Sequence, residues 1–317
     1  VRNPVFILLL ALSGVAVFAA ARLIGNAYVF FAGYVVLQYI VLSTGWNILG
    51  GYTGYVNFGI SAFFALGAYS TVVLHKTVPN MPLAGMIVVG GLLSGLVGLG
   101  TGYLTLRLRG TFFSIATLAM AVVAQTLITN WDFVGGSRGA YIVRPAIAPY
   151  SGLDYIQYLF LVMLVLALFA LAVARAIERS RLGYGFATIR DDELAAEASG
   201  VPTLKLKLIA TALSGGFMGM AGAPLPYYVT YLDPASGFSL SYAVNTIAMP
   251  LIGGTSSWAG PLIGAVLLGT LQQVATVTIS SALSLLIVGL MLVGFVIAAP
   301  QGILGLFRRR DRARGGR

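Results

Sequence analysis

The densest hydrophilic stretch of the chain is IRDDELAAEASGV, residues 189–201. Asp191, Asp192 and Glu193 suit the positive N-terminal end of a short helix, Gly200 can close it, and Pro202 prevents its continuation. Leu194, Ala195, Ala196 and Ala198 would give that helix a small, nearly flat apolar surface flanked by Arg190 and Glu197. Such a surface can slot into a groove on a soluble partner. The alternative is a solvated loop helix that touches nothing.

Elsewhere the residues that carry chemistry are sparse. The nine acidic residues are Asp132, Asp154, Glu178, Asp191, Asp192, Glu193, Glu197, Asp233 and Asp311, and all fall outside the centres of the apolar runs. None is placed as an intramembrane proton carrier of the kind ion-driven transporters retain. His75, beside Lys76, is the single histidine and is expected to be a solvated loop residue. Cysteine is absent, which removes disulfides, thiol nucleophiles and cysteine-ligated metals. The GxxxxGK[ST] phosphate loop does not occur, and one histidine without cysteine leaves little from which to build a hydrolase triad or a zinc site. No cofactor, metal or catalytic residue is expected.

Two glycine-rich breaks interrupt apolar sequence, GGYTGYVNFG at 50–59 and LIGGTSSWAGPLIG at 251–264. Paired interruptions in the two halves of a transporter often mark its substrate route, because unwound backbone is tolerated at membrane depth only where it lines a cavity or is buried in protein. Gly51, Thr53, Gly54 and Asn57 from the first break, with Asn245, Gly253, Gly254 and Thr255 at the second, are the candidates for a translocation pathway. Glycine-rich turns at helix ends are the competing explanation.

The elements that must hold these residues are apolar helices. The chain is 58% hydrophobic and 9% charged, with a mean hydropathy of +0.92, whereas soluble domains carry about 25% charged residues. Uncharged runs at 4–21, 27–48, 55–74, 83–106, 111–131, 155–177, 207–228, 238–254, 261–280 and 284–304 predict about ten crossings. The expected fold is an all-α polytopic membrane bundle forming one domain over 1–317, with a hydrophilic loop at 178–206 and a basic tail at 307–317. The first run reads as a spanning helix rather than a secretory signal, since no convincing cleavage site precedes Arg22 and a second run follows at Ala27. The run at 238–254, interrupted by Asn245 and Pro250, is expected to be a half-helix that enters and leaves on one side. Gly91, Gly95, Gly98 and Gly102 share one helix face, and Gly215, Gly219 and Gly222 repeat the device, which points to close helix packing.

The formal charge of +10 lies at the ends of apolar runs, where it orients a membrane protein rather than binding nucleic acid. With ten crossings and an internal N-terminus, fifteen basic residues fall inside, among them Arg2, Arg107, Arg109, Arg175, Arg179, Arg181, Arg190, Lys205, Lys207 and six arginines from Arg308 to Arg317. Four, Arg22, Lys76, Arg138 and Arg144, fall outside. The division predicts cytoplasmic termini.

The segment 189–201 resembles the cytoplasmic coupling loop of ABC importer permeases, in which two alanines are followed after a fixed spacing by glycine, here Ala195, Ala196 and Gly200. The motif's glutamate would fall at Leu194, and this chain offers Glu193 instead. GGYTGYVNFG at 50–59, LRLRGTFFSIATLAM at 106–120, GGSRG at 135–139, LIGGTSSWAGPLIG at 251–264 and PQGILGL at 300–306 extend the resemblance in order along nearly the whole chain, to the LivM-type branched-chain amino acid permeases. The resemblance implies that Arg190, Asp191, Asp192, Glu193, Leu194, Ala195, Ala196, Glu197 and Gly200 couple to an ATPase. It also implies a second, paralogous permease, two cytoplasmic ATP-binding subunits, a periplasmic or lipid-anchored binding protein and a place in the bacterial inner membrane. Leucine, isoleucine and valine are the implied cargo; urea, short amides or aromatic acids are the alternatives within the same machine, and an ATPase-independent channel is the alternative outside it.

Overall fold

The computed structural model describes residues 3–78, 80–105, 110–143 and 153–278, with 286, 289, 290, 293, 294 and 302–305 beyond them. The tail at 307–317, most of the run at 284–304, and Arg2, Arg107, Arg109 and Arg144 lie outside the described residues.

The described chain is an all-α bundle. Its helices are α1 (Asn3–Ile24), α2 (Ala27–Gly50), α3 (Ile60–Thr77), α4 (Leu83–Thr105), α5 (Thr111–Thr129), α6 (Tyr155–Glu178), α7 (Arg181–Asp191), α8 (Glu193–Ala198), α9 (Thr203–Gly222), α10 (Leu225–Val229), α11 (Pro234–Gly237), α12 (Leu240–Gly253) and α13 (Ala259–Thr278). Two short strands, β1 (Ala140–Tyr141) and β2 (Tyr231–Leu232), pair antiparallel and tie the segment after α5 to the segment after α10. Seven helices are long and apolar enough to cross a membrane: α1, α2, α4, α5, α6, α13 and the stretch Thr203–Val229 that joins α9 and α10. Among the described residues this is fewer than the ten runs of the sequence. The helix α3 carries His75 and Lys76 in its last turn, and α12 is only 14 residues long. At 1.5 Å per residue α12 spans about 21 Å, short of a bilayer core.

The centre of the bundle is α2, in which every residue from Val36 to Leu49 is buried. A helix apolar on all sides belongs in the interior, and α2 packs there against α6, α9, α12 and α13. By contrast α4 has two distinct faces. Leu92, Leu93, Leu96 and Leu99 are exposed, whereas the glycine face lies on α9. A Cβ on Gly98 would sit 3.0 Å from the Thr211 carbonyl oxygen, and one on Gly219 would sit 2.6 Å from that of Gly90. On the third side Gly222 abuts the Phe64 carbonyl of α3. The glycine face of α4 thus lies on Thr211, Ala212 and Gly216 of α9, Gly215 and Gly219 approach Ser94 and Gly90 of α4, and Gly222 faces α3, so close packing is the use of both sets.

Three local expectations change. The run at 55–74 becomes helical only at Ile60, because residues 51–59 form a loop held by their own hydrogen bonds. The half-helix α12 does not return to the side it came from. Tyr242, in its first turn, lies beside Tyr39, midway along α2, and its last residue, Gly253, abuts Gly260 near the C-terminal end of α2. His75 is half-buried rather than solvated, with Nδ1 3.0 Å from the Tyr227 hydroxyl.

The glycine contacts make a direct prediction. Placing alanine in a helix in place of glycine stabilises by about 0.5–1 kcal/mol where there is room, and Gly100 on α4 has nothing within 4 Å of its Cβ position. Gly100→Ala should leave the melting temperature in detergent unchanged or slightly raised, and Gly219→Val should lower it by several degrees. Equal melting temperatures for the two variants, by scanning fluorimetry, would remove the packing role.

Candidate functional site

The hydrophilic segment folds as two helices rather than one. Residues 181–191, expected as loop, form α7, whose N-cap Ser180 accepts a hydrogen bond from the Gly183 N–H. Asp191 belongs to the end of this helix, and its carboxylate pairs with Arg190 at 3.3 Å on the surface. Asp192 then breaks the chain into extended backbone and caps α8, accepting from the N–H groups of Leu194 at 2.9 Å and Ala195 at 3.0 Å. Gly200 ends α8 with φ of +82°. Its N–H donates to the Glu197 carbonyl and that of Val201 to the Ala196 carbonyl, both at 3.0 Å. This is the left-handed glycine stop that satisfies the last carbonyls of a helix.

Of the residues assigned to coupling, two turn inward. Ala196 is buried within the chain's own fold, so it is no part of an outward docking surface. Glu193 reaches into the bundle, where one carboxylate oxygen lies 2.6 Å from Lys207 Nζ of α9 and the other accepts from the Tyr55 hydroxyl. Lys207 Nζ also donates to the Tyr55 oxygen at 3.3 Å, and both charged side chains are largely shielded, at 5% and 14% exposure. Behind them Phe113 meets the Tyr55 ring edge to face. The outward face of α8 is Leu194, Ala195 and Ala198, with Leu194 61% exposed. Glu197 is exposed and accepts from the Thr203 hydroxyl at 2.7 Å.

The glycine-rich breaks come to the same end of the bundle as α8. Gly54, with φ of +79°, faces the Arg190 side chain, where a Cβ would meet Cγ at 3.3 Å. A Cβ on Gly51 would lie 2.6 Å from the Thr255 carbonyl oxygen, so the first break presses on the second. Asn47 Nδ2 donates to the Ser257 carbonyl at 3.4 Å, and the Trp258 N–H donates to Glu178 at 2.7 Å. Gly253 abuts the Gly260 carbonyl, and Gly302, at φ +70°, packs on Gly254. Phe6 of α1 meets Trp258 edge to face and carries the Arg175 guanidinium 3.6 Å from its ring centre.

The pathway candidates therefore separate. Gly51, Thr53, Gly54, Asn57, Gly253, Gly254 and Thr255 form this junction. Thr53 donates to the Leu49 carbonyl at 2.6 Å, and Asn57 accepts from the Gly59 N–H at 2.7 Å, so both side chains brace the loop's own backbone. Asn245 lies apart on α12, where it donates to the Tyr39 hydroxyl at 3.1 Å and accepts from Gln272 of α13 at 3.3 Å. Sequence reasoning missed the partners Tyr55 and Lys207. Two lysines in the first turns of α9, Lys205 and Lys207, two positions apart and so on different faces of the helix, are the available signal that one of them turns inward.

Residues 28–296 match the family described as branched-chain amino acid transport system / permease component. Among curated proteins, the high-affinity branched-chain amino acid transport system permease protein LivM of Salmonella typhimurium is 27% identical, over 88% of this chain and 70% of that protein. LivM of Escherichia coli K12 is likewise 27% identical, over the same shares of the two chains. The probable branched-chain amino acid transport permease protein LivH of Methanocaldococcus jannaschii is 22% identical, over 84% of this chain and 88% of that protein. No solved structure matches the chain.

Removing one partner of a buried ion pair strands the other charge, at a cost of about 3–5 kcal/mol, whereas an apolar replacement of the pair is often near neutral. Lys207→Met and Glu193→Gln should each lower the melting temperature sharply, and the double variant should recover most of the loss. A double variant no better than the worse single variant would show that the two charges do not act as a pair.

Proposed function

The chain belongs to the family of branched-chain amino acid transport permease components, and we propose that it works as one of two paralogous permeases in an ATP-driven importer of leucine, isoleucine and valine. Family membership carries this reading, because the match takes in both the coupling segment and the glycine-rich breaks. Relatives of two kinds, LivM and LivH, support the pairing of unlike permeases. ATP would be hydrolysed on two separate cytoplasmic subunits, and a periplasmic or lipid-anchored binding protein would deliver the amino acid.

In this reading the chain crosses the bacterial inner membrane ten times with both termini in the cytoplasm. The basic residues favour that orientation. Phe6 packs on Trp258 and Gly302 on Gly254, both at the junction that Gly54 links to Arg190, which supports termini on that side.

The coupling step rests on α8. Leu194, Ala195 and Ala198 supply a small apolar face for the ATPase, while Glu193 ties the opposite side of the helix to Lys207 and Tyr55. Arg190, Asp191, Asp192 and Glu197 supply the polar margin, and Gly200 the exit turn. Movement of an ATPase against this face reaches the junction of Gly51, Gly54 and Thr255, and through it α2, α3 and α12, which open alternately to the two sides. No acidic residue falls at the centre of an apolar run, which supports work supplied by partner subunits.

Two measurements test the reading. Cells lacking the gene should lose most uptake of labelled leucine, isoleucine and valine and regain it with the wild-type chain; restoration of urea uptake alone would overturn the cargo. Ala195→Arg adds a bulky charge to the exposed face of α8 without entering the bundle. It should leave the permease abundant and stable, abolish co-purification of the ATPases and cut leucine uptake at least tenfold. Wild-type uptake with normal co-purification would withdraw α8 as the coupling element.

A further inference from the structure

Halfway along α2 the bundle opens into a cavity of about 360 Å³. Gln38, one of its lining residues, is eleven positions from Ala27 and twelve from Gly50, which places it roughly 17 Å from either end of the helix. The facing wall comes from the irregular stretch between α9 and α12. After β2 the chain dips to the middle of the bundle, where Gly237 and Phe238 lie against Tyr69 of α3, and α12 begins at that depth. Thr230, at φ +64°, is the sole non-glycine residue with positive φ among the described residues, and it sits at the turn into this stretch. Irregular backbone at such depth is tolerated where it lines a cavity, and strained non-glycine backbone concentrates at functional sites.

The lining combines three chemistries in one small space. Tyr39, Tyr228 and Tyr242 contribute aromatic rings, with the Tyr228 hydroxyl turned away to the Phe31 carbonyl at 3.4 Å; Ser239 and Ser241 contribute hydroxyls at the start of α12, and Val35, Leu225 and Val229 are aliphatic. No lining residue carries a formal charge. The polar groups are fixed from behind. Gln38 donates to the Ala221 carbonyl at 3.0 Å, Tyr39 accepts from Asn245, Tyr228 stacks on Tyr34 at 4.2 Å and Tyr242 packs on Phe64 at 4.3 Å between ring centres. A second cavity of about 500 Å³, between α1, α2, α6 and α13, is walled mainly by leucine, valine and alanine and offers no comparable polar set.

We propose that the cavity at Gln38 is a transit site for a single zwitterionic amino acid with an aliphatic side chain, a proposal that rests on the importer reading above. The tyrosine rings receive the ammonium group. The serine hydroxyls, at the positive end of α12, receive the carboxylate, as half-helix ends do in other transporters. Val35, Leu225 and Val229 receive the side chain. A volume of this size has room for a ligand of leucine's bulk. The neutral lining keeps the hold weak, which suits a site that must release its cargo in each cycle.

The chain has no native cysteine, so a single introduced thiol reports on one place. In the complete importer, reconstituted with its ATPases and binding protein, Ser241→Cys should react with a methanethiosulfonate reagent. Millimolar leucine should slow that reaction at least threefold, and urea should not. Ser13→Cys, in the apolar groove of α1, should show no protection by leucine. Leu225→Trp, which narrows the cavity, should lower the leucine-to-alanine uptake ratio about tenfold. If the wild-type complex imports leucine but Ser241→Cys is inert or unprotected and the uptake ratio is unchanged, the transit site is overturned and the importer reading stands. A wild-type complex that imports no branched-chain amino acid overturns the importer reading itself.

Discussion

Close approach of backbone to backbone through glycine is the constraint on which this bundle depends. Between helices in lipid there is no hydrophobic driving force, so association relies on van der Waals contact and interhelical hydrogen bonds. Here α9 is gripped on one side by the glycine face of α4 and on another by α3, where Gly222 leaves no space for a side chain against Phe64. The same device recurs at the junction of the two glycine-rich breaks, where Gly51 meets Thr255, Gly253 meets Gly260 and Gly302 meets Gly254. Contacts of this kind have no slack. A displacement at one member is passed to its neighbour, because interiors packed without voids transmit strain instead of absorbing it.

The buried ion pair fits into that frame. Glu193 is on a helix of six residues, too short to hold a position by its own hydrogen bonds. The Asp192 cap, the Gly200 stop and the bond from Glu193 to Lys207 together fix α8 on the bundle. Because Tyr55 shares the carboxylate, the glycine-rich loop at 50–59 is held to the same point, and Arg190 closes over Gly54 from α7. A buried pair is weak evidence for stability, since desolvation offsets much of the attraction. Its geometric consequence is firmer: one helix face is left free for a partner while the other is bound to α9 and to the loop before α3.

Much of this was legible in the sequence. Long uncharged runs coincide with the seven spanning helices of the described residues, the acidic residues Asp191, Asp192 and Glu193 with Gly200 mark the two ends of a short helix, and the glycine spacing marks a close-packing face on α4 and on α9. The misses share a physical cause. The elements β1, β2, α10 and α11 are two to five residues long and leave no periodic signal. The helix α7 contains Gly183 and Gly185, which weaken a helical pattern, and is recognisable only from its Ser180 cap. The breaks at 50–59 and 251–264 were visible as breaks, yet not that they press on each other, since that contact joins residues some two hundred positions apart. Glu193 and Ala196 were read as outward because a six-residue helix has too few turns for its burial phase to be read from one strand of sequence.

Charge and cavity occupy different levels of the molecule, and α12 joins them. The ion pair of Glu193 and Lys207 lies at the α8 end of the bundle, while the cavity beside Gln38 has a lining without formal charge. An importer driven by intramembrane protonation would need its charge at the cavity; one driven by partner subunits needs only a mechanical link between the two levels. The helix α12 has the required reach. Its C-terminal residues Gly253 and Gly254 are wedged against Gly260 and Gly302, and its N-cap Ser239 forms part of the cavity wall. Fourteen residues of helix, about 21 Å, thus connect the junction to the cavity with no loop between them. The hydrogen bonds from Asn245 to Tyr39 and from Gln272 to Asn245 hold the middle of α12 to α2 and α13. The junction and the cavity wall at Ser239, Ser241 and Tyr242 are thus the two ends of one helix, with Pro250 between them as its point of weakness.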